Sequence, residues 1–244
     1  MNIMNLQLIR KLNKIKILIA FLFIITFTCL QTKAQVQAPY SIVDDKVVIP
    51  QFQSVEGTTS DNLFLNALLW TIQSAPQPEE KVLEVDYDKK QFGVAWMLDN
   101  PKTACRYRCV VSVKVADNII TMLASDISQE AETAVIKLVK RLPFEKLNPE
   151  KKPKHKDYLT DFANLHEKQI AQLLEFITTN PLPPITHWRE IKENDVVKGM
   201  NSTECTLSLG KPASVQKQGN REEWMYDSYT YVFFENGVVS SVIK

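Results

Sequence analysis

The sequence predicts an α+β protein of two domains, in which antiparallel sheets carry helices on one face. Three observations support this prediction. Apolar and polar residues alternate along 105–115, apolar residues recur at helical spacing along 157–178, and a proline-rich break at 180–185 precedes a second set of short strands. Alternation with period two is typical of a half-buried strand, whereas a period of 3.6 is typical of an amphipathic helix. An antiparallel sheet buries its apolar face by packing helices on it.

Residues 1–34 are predicted to be a secretory signal peptide and are left out of the fold. An apolar run covers 17–30, Thr32 and Ala34 fit the small residues before a cleavage site, and a basic region comes first, made of Arg10, Lys11, Lys14 and Lys16. The apolar run is too short and wrongly flanked for a good membrane span. An uncleaved N-terminal anchor is the alternative.

Cys29 raises a second alternative, a lipoprotein. A lipobox has an aliphatic residue three positions before the cysteine and Gly, Ala or Ser directly before it, but here Thr26 and Thr28 hold those positions. We therefore expect soluble export to the periplasm or the periplasmic face of the outer membrane. Membrane association is expected only through a partner or through a lipidated Cys29.

The charge of the mature chain argues against a nucleic-acid partner. The full sequence has 29 Lys and Arg and 28 Asp and Glu residues, and the leader takes five of the basic ones. The mature chain then has 24 basic against 28 acidic residues, a net charge of −4. A nucleic-acid binder normally shows a basic footprint.

The first domain, 36–180, starts with a strand and a helix. Residues 46–55 read as a strand in which Pro50 marks an edge or a bend. Thr59 or Ser60 can cap the helix that follows, and the run "APQP" stops it. Strands are predicted over 82–87 and 92–98, with the turn "DKKQ" between them.

The clearest strand is 105–115, and the turn "ADN" leads from it into 119–125. Cys105 and Cys109 share a face of this strand but lie about 13 Å apart, too far for a disulfide. The stretch 128–146 fits either a helix or a strand and stays open. A basic loop at 147–156 precedes the helix of 157–178, in which His166 is interpreted as a boundary histidine beside the core.

This order of elements resembles a family of exported bacterial proteins of unknown function with a TATA-binding-protein-like fold. The matching stretches are "VEGTTSDNLFLNALLW", "YRCVVSVKVADNIITM" and the long helix, which together cover most of 46–178. The resemblance implies a fold, and it implies no DNA binding.

The second domain, 185–244, contains a short helix with marked ends. Asn201 can cap it, and Glu204 can complete a capping box. Gly210 stands where a helix enters the left-handed position, and Pro212 blocks its continuation. Residues 202–209 are therefore a predicted two-turn helix, with Met200, Cys205 and Leu209 facing a core.

Three strands are expected after this helix, at 222–226, 229–234 and 238–243. Asn236 and Gly237 suit the positive φ angles of a type I′ hairpin turn. The glycines flank a helix rather than form a phosphate-binding loop, and Cys205 lacks an apparent base, so neither a phosphate site nor a nucleophile is predicted.

This region, about 190–244, resembles the BamE-like (SmpA/OmlA) family of outer-membrane assembly lipoproteins. The family pattern is present as Gly199-Met200, Leu209-Gly210-Lys211-Pro212, Trp224-Met225-Tyr226 and Phe234-Glu235-Asn236-Gly237. The resemblance implies a helix with a three-stranded meander and a role at the outer membrane, in protein assembly or envelope integrity. Family members are typically anchored by a lipid near the N-terminus, whereas here another domain precedes.

The sequence thus favours a non-catalytic envelope protein that binds another protein. It shows no HExxH, GxSxG, CxxC or glycine-rich loop, and we expect no catalytic residue, metal or cofactor. An inhibitor or ligand-binding module of the β-lactamase-inhibitor type is the alternative, and an uncharacterised enzyme with paired acids is a third. The predicted partner surface is aromatic: Trp224, Tyr226, Tyr229, Tyr231 and Phe233.

Overall fold

The strands of the protein form two separate antiparallel sheets, with α-helices packed beside them. The computed structural model describes residues 40–44, 46–74, 82–100, 105–132, 139–147 and 151–244. The predicted leader, including Cys29, lies outside them. The predicted α+β class with antiparallel sheets is confirmed.

Seven strands make the first sheet: β1 (Ser41–Val43), β2 (Lys46–Ser54), β3 (Val82–Asp86), β4 (Gln91–Asn100), β5 (Cys105–Ala116), β6 (Ile119–Glu132) and β7 (Val139–Pro143). Their order is β1-β2-β6-β5-β4-β3, with β7 paired to β6. β1 covers only the start of β2, so Pro50, which pairs with Leu123 of β6, lies at an edge as predicted. The missing N–H of proline costs no ladder hydrogen bond there.

Two helices cover one face of this sheet, α1 (Ser60–Ser74) and α2 (Pro153–Thr179). Thr59 caps α1, because its Oγ1 accepts from the Asn62 amide at 3.2 Å. The rings of Trp70 and Trp96 meet edge to face at 5.5 Å between α1 and β4. The alternation predicted for β4 and β5 is confirmed by one set of buried side chains: Phe92, Val94, Trp96, Leu98, Tyr107, Cys109, Val111, Val113 and Val115.

Two predicted boundaries in this region need correction. The described part of 128–146 is strand, because β6 runs on to Glu132 and β7 follows before a short 3₁₀ turn at Phe144–Lys146. α2 begins at Pro153, so the predicted loop 147–156 ends earlier than expected. Proline suits the first turn of a helix, where its missing N–H has no intrahelical partner to lose.

His166 lies in the core rather than at its boundary. Its side chain is fully buried, stacks on the Phe162 ring at 6.0 Å, and neither ring nitrogen has a hydrogen-bond partner among the described residues. Burial lowers the pKa of His166 to about 4. The imidazole is therefore neutral at neutral pH.

The second sheet follows two short helices, α3 (Trp188–Lys192) and α4 (Ser202–Leu209). Its order is β11-β10-β9-β8, and its strands are β8 (Ser214–Gln218), β9 (Arg221–Met225), β10 (Tyr231–Glu235) and β11 (Val238–Ile243). The predicted three-stranded meander was wrong by one strand, since β8 is added. β8 is polar and mostly exposed, so it carries no apolar alternation that would reveal it.

The hydrophobic core is continuous across the two predicted domains. Buried residues of α1 and of the first sheet join one cluster with Met200, Cys205, Trp224 and Phe234, and residues 39–244 form one compact unit. Whether 36–180 and 185–244 fold independently stays a prediction. In the part of the chain that the structure describes, no helix is both long and apolar enough to span a bilayer.

Candidate functional site

The second sheet has one face in the core and one face open, and strand register decides which residues lie on each. Trp224 pairs with Val232 and faces the core together with Phe234. Tyr231 pairs with Met225, and Phe233 pairs with Glu223. The open side is called here the outer aromatic face, and it comprises Glu223, Met225, Tyr231, Phe233 and Ile243.

The burial pattern agrees with this division. Val232 and Phe234 are buried, whereas Tyr231 and Phe233 are half-buried and Ile243 is 54% exposed. Tyr229 lies in the turn before β10 and is 78% exposed. Asp227 holds that turn by accepting from the amides of Tyr229 and Thr230, and these hydrogen bonds lower its pKa. An aromatic patch of this kind is typical of an interaction surface.

A shallow depression of about 580 Å³ lies over the turn end of the sheet. Its walls on the open side include Gln216, Arg221, Glu223, Phe233 and Glu235. The volume falls within the range of sites that take a small ligand or a few side chains of a partner.

Most charges around the depression are already paired. Arg221 lies 3.4 Å from Glu235, and Lys217 lies 2.8 Å from Glu222. The hydrogen bond from Lys217, followed by one from the Trp224 indole, lowers the pKa of Glu222. The carboxylate of Glu223 has neither an ion pair nor a hydrogen bond with any residue that the structure describes.

Two residues of the predicted partner surface lie elsewhere. Trp224 is only 8% exposed, and its ring centroid lies 4.6 Å from that of Phe234, so it belongs to the core. Tyr226 lies beside Cys205, and burial followed by the neighbouring thiol raises its pKa. Trp224 has the opposite parity to Met225 along β9 and projects away from the outer aromatic face, whereas Tyr226 lies beyond the end of that strand. Tyr229, Tyr231 and Phe233 remain on or beside it.

Residues 199–212 contain the short capped helix that their capping residues predict. The capping box is confirmed: the Glu204 amide donates to Asn201 Oδ1 at 2.9 Å, and the Asn201 amide donates to Glu204 Oε2 at 2.9 Å. Gly199 and Met200 bond to the backbone of Val239 in β11. Asn236 and Gly237 have φ of 53° and 80° and form the predicted hairpin turn.

The end of α4 differs from the prediction in one respect. The helix stops at Leu209 and Gly210 has a positive φ of 82°, but its ψ of −160° is extended rather than left-handed helical. This is a conformation that essentially only glycine adopts. Pro212 follows, half-buried, and the chain then enters β8.

Glu204 binds more groups than a capping box requires. Its carboxylate also accepts from the Thr186 amide at 2.6 Å, the Thr186 hydroxyl at 3.1 Å and the His187 amide at 3.0 Å. His187 Nδ1 lies 3.1 Å away. Burial alone would raise the pKa of Glu204, but the amides of Thr186, Asn201 and His187 together lower it.

The thiol of Cys205, next to Glu204 in the chain, is held in its protonated form. Cys205 is fully buried, and burial followed by the charge of Glu204 raises the pKa of its thiol to about 12, so it stays protonated. Cys109 and Cys205 form no disulfide. Across the described ranges, no three His, Cys, Asp or Glu side chains are grouped to hold a metal ion.

No protein-family model matches the chain, and no curated protein matches it. Among solved structures, the chain is similar to a TBP-like protein from Parabacteroides distasonis, with 16% identity and a TM-score of 0.49 over 60% of this chain and 100% of that one. It is also similar to a DUF4468 family protein from Bacteroides ovatus, with 10% identity and a TM-score of 0.46 over 63% of this chain and 100% of the other. These are proteins of the kind that residues 46–178 are predicted to resemble.

Proposed function

We propose that the mature chain is an exported, non-catalytic envelope protein that binds another protein through the outer aromatic face. The single observation that carries the proposal is the uncovered side of the second sheet. Tyr231, Phe233 and Ile243 remain partly exposed there, whereas the other side of the same strands is buried. Aromatic residues bury a large area at a low entropy cost, which suits them to protein interfaces.

The proposal includes a scaffold role at the outer membrane, in protein assembly or envelope integrity. This scaffold role rests on the resemblance of residues 190–244 to the BamE-like family, through Leu209-Gly210-Lys211-Pro212 and the strands that follow. In this proposal the chain acts from the periplasm and reaches the membrane through its partner.

The experiment is Tyr231→Glu combined with crosslinking in intact cells. A charge on the outer aromatic face is expected to leave the melting temperature nearly unchanged, because the side chain is not in the core, and to abolish the crosslinked partner. Val215→Glu is the matched control. Val215 is 46% exposed on the other side of the sheet, so it adds the same charge away from the face.

The identity of the crosslinked protein separates the alternatives. Outer-membrane assembly proteins would support the scaffold role, and a single soluble enzyme would support an inhibitor instead. Unfolding of Tyr231→Glu with an intact Val215→Glu would place Tyr231 in the core and defeat the proposal. A crosslink that persists in both variants would place the binding site elsewhere.

A further inference from the structure

Glu223 is the charged group of the outer aromatic face that lacks a partner. Its neighbour across the strands is Phe233, and Tyr231 and Met225 occupy the next pair on the same side. Directly opposed residues in an antiparallel pair have Cβ atoms about 5 Å apart. The side chains of Glu223 and Phe233 are therefore neighbours on this side of the sheet, and both line the depression.

The adjacent residue Glu222 shows how the same side chain behaves when it is satisfied. Glu222 points to the other side of the sheet, where it accepts from the Lys217 ammonium at 2.8 Å and from Trp224 Nε1 at 3.1 Å. Arg221 forms an ion pair with Glu235. Among the described residues, no cation of the chain is paired with Glu223.

A partner that covers this face must deal with that charge. Burying an ionised carboxylate without a counter-ion costs far more than aromatic contacts with Phe233 and Tyr231 would recover. A lysine or arginine of the partner would pair with Glu223 and could also lie over a neighbouring ring, where the π electrons attract cations.

We infer that the outer aromatic face takes a segment of a partner protein in which a lysine or arginine is flanked by apolar residues. The cation pairs with Glu223, and the apolar neighbours pack on Tyr231 and Phe233. This inference rests on the proposed function, because it names the chemistry of the partner for the same surface.

The test uses the mature protein as bait for a phage-displayed library of random linear peptides. Recovered peptides are synthesised, and their affinities are measured by fluorescence anisotropy against four proteins: wild type, Glu223→Gln, Glu222→Gln and Tyr231→Glu. We expect the peptides to be enriched in Lys or Arg beside apolar residues. Glu223→Gln should weaken their binding by about tenfold or more.

Glu222→Gln is a matched control, since it makes the same change at the adjacent position. Glu222 also lines the depression, but it is already paired with Lys217, so its loss should leave the affinity within about twofold of wild type. Charge reversal gives a second arm. Glu223→Lys should reject the cationic peptides and accept versions in which the Lys or Arg is replaced by Glu.

Each outcome decides something. One result would overturn this inference and keep the proposed function. In it, the peptides bind wild type and fail to bind Tyr231→Glu, but they show no preference for Lys or Arg and lose no affinity with Glu223→Gln. Peptides that bind Tyr231→Glu as well as wild type, or no enrichment at all, would count against the proposed function itself.

Discussion

Glu204 illustrates what a single residue contributes and how much of it a sequence can reveal. The capping box with Asn201 was predicted because all of its parts lie within four positions. The bonds from Thr186 and His187 come from 18 and 17 positions away, respectively, and depend on how the chain returns past α4. No local pattern encodes that return, so only the helix cap could be predicted.

We predict that Glu204→Gln destabilises the protein more than Asn201→Ala does. Asn201→Ala removes a helix cap, which is worth about 1 kcal/mol. Glu204→Gln removes the charge that several donors share and places an amide N–H against them, which should cost about 2–3 kcal/mol. Urea unfolding at neutral pH measures both, and equal losses would mean that Glu204 acts only as a cap.

The difference in stability between wild type and Glu204→Gln should depend on pH, because folding lowers the pKa of Glu204 from 4.5. The charge therefore contributes fully above pH 4.5, and its contribution is lost as the pH falls through the lower folded value. The gap between wild type and Glu204→Gln should narrow in that acid range.

Protonation of His166 should lower the free energy of unfolding at a higher pH than protonation of Glu204 does. Its pKa is about 4 when folded against an ordinary value of 6.5, so the unfolded chain takes up the proton first. Stability contributed by the neutral ring is complete above pH 6.5 and falls by about 3 kcal/mol as the pH approaches 4. His166→Leu should flatten this fall in urea unfolding, and an unchanged slope would show that another group is responsible.

Trp224 shows a limit of reasoning at the same scale. Trp224 and Tyr231 lie on consecutive strands, and whether they share a side of the sheet depends on the register across residues 227–230. The observed pairing of Trp224 with Val232 puts it in the core. Aromatic type alone predicted an interaction surface and could not decide which aromatic residues lie on it.

Helices and strands could be predicted where the spacing of apolar residues agreed with the capping or turn residues at their ends. β4, β5 and α4 carry alternation or caps in their own residues. β1 and β8 lacked such a signal, because both are short edge strands whose pairing is supplied by a neighbour. Gly219, with a φ of 62°, and Asn220 form the one local signal for β8, a two-residue turn between two extended runs.

The end of α4 provides a prediction for an element. Gly210→Val should cost about 1–3 kcal/mol, because the residue has a positive φ with an extended ψ. A Cβ at this position would meet no atom within 4 Å, so the cost is in the backbone and not in a clash. Thermal unfolding measures it, with the exposed neighbour Lys211→Ala as a control expected to change little. Normal melting of Gly210→Val would mean that the helix ends differently.

At the scale of the whole molecule, the shared core bears on the predicted division into domains 36–180 and 185–244. Residues 180–185 form a loop, but Leu182 and Ile185 pack on the shared core and Pro184 accepts from Asn201. We expect that cutting the chain at a protease site inserted after Asn180 leaves one particle with a single unfolding transition. Gel filtration and calorimetry of the cut protein test this. Separation into two folded pieces would show that 36–180 and 185–244 are autonomous.

The pairing of β2 with β6 has a consequence for the order in which the protein can assemble. Residues 49–54 hydrogen-bond with partners that lie roughly 70 positions further along the chain, while β4, β5 and β6 pair with immediate neighbours. A chain that emerges N-terminus first can therefore complete the pairing of β2 only once residue 124 has followed. Within the first sheet, β2 is therefore made before β4 and β5 but completes its pairing after them.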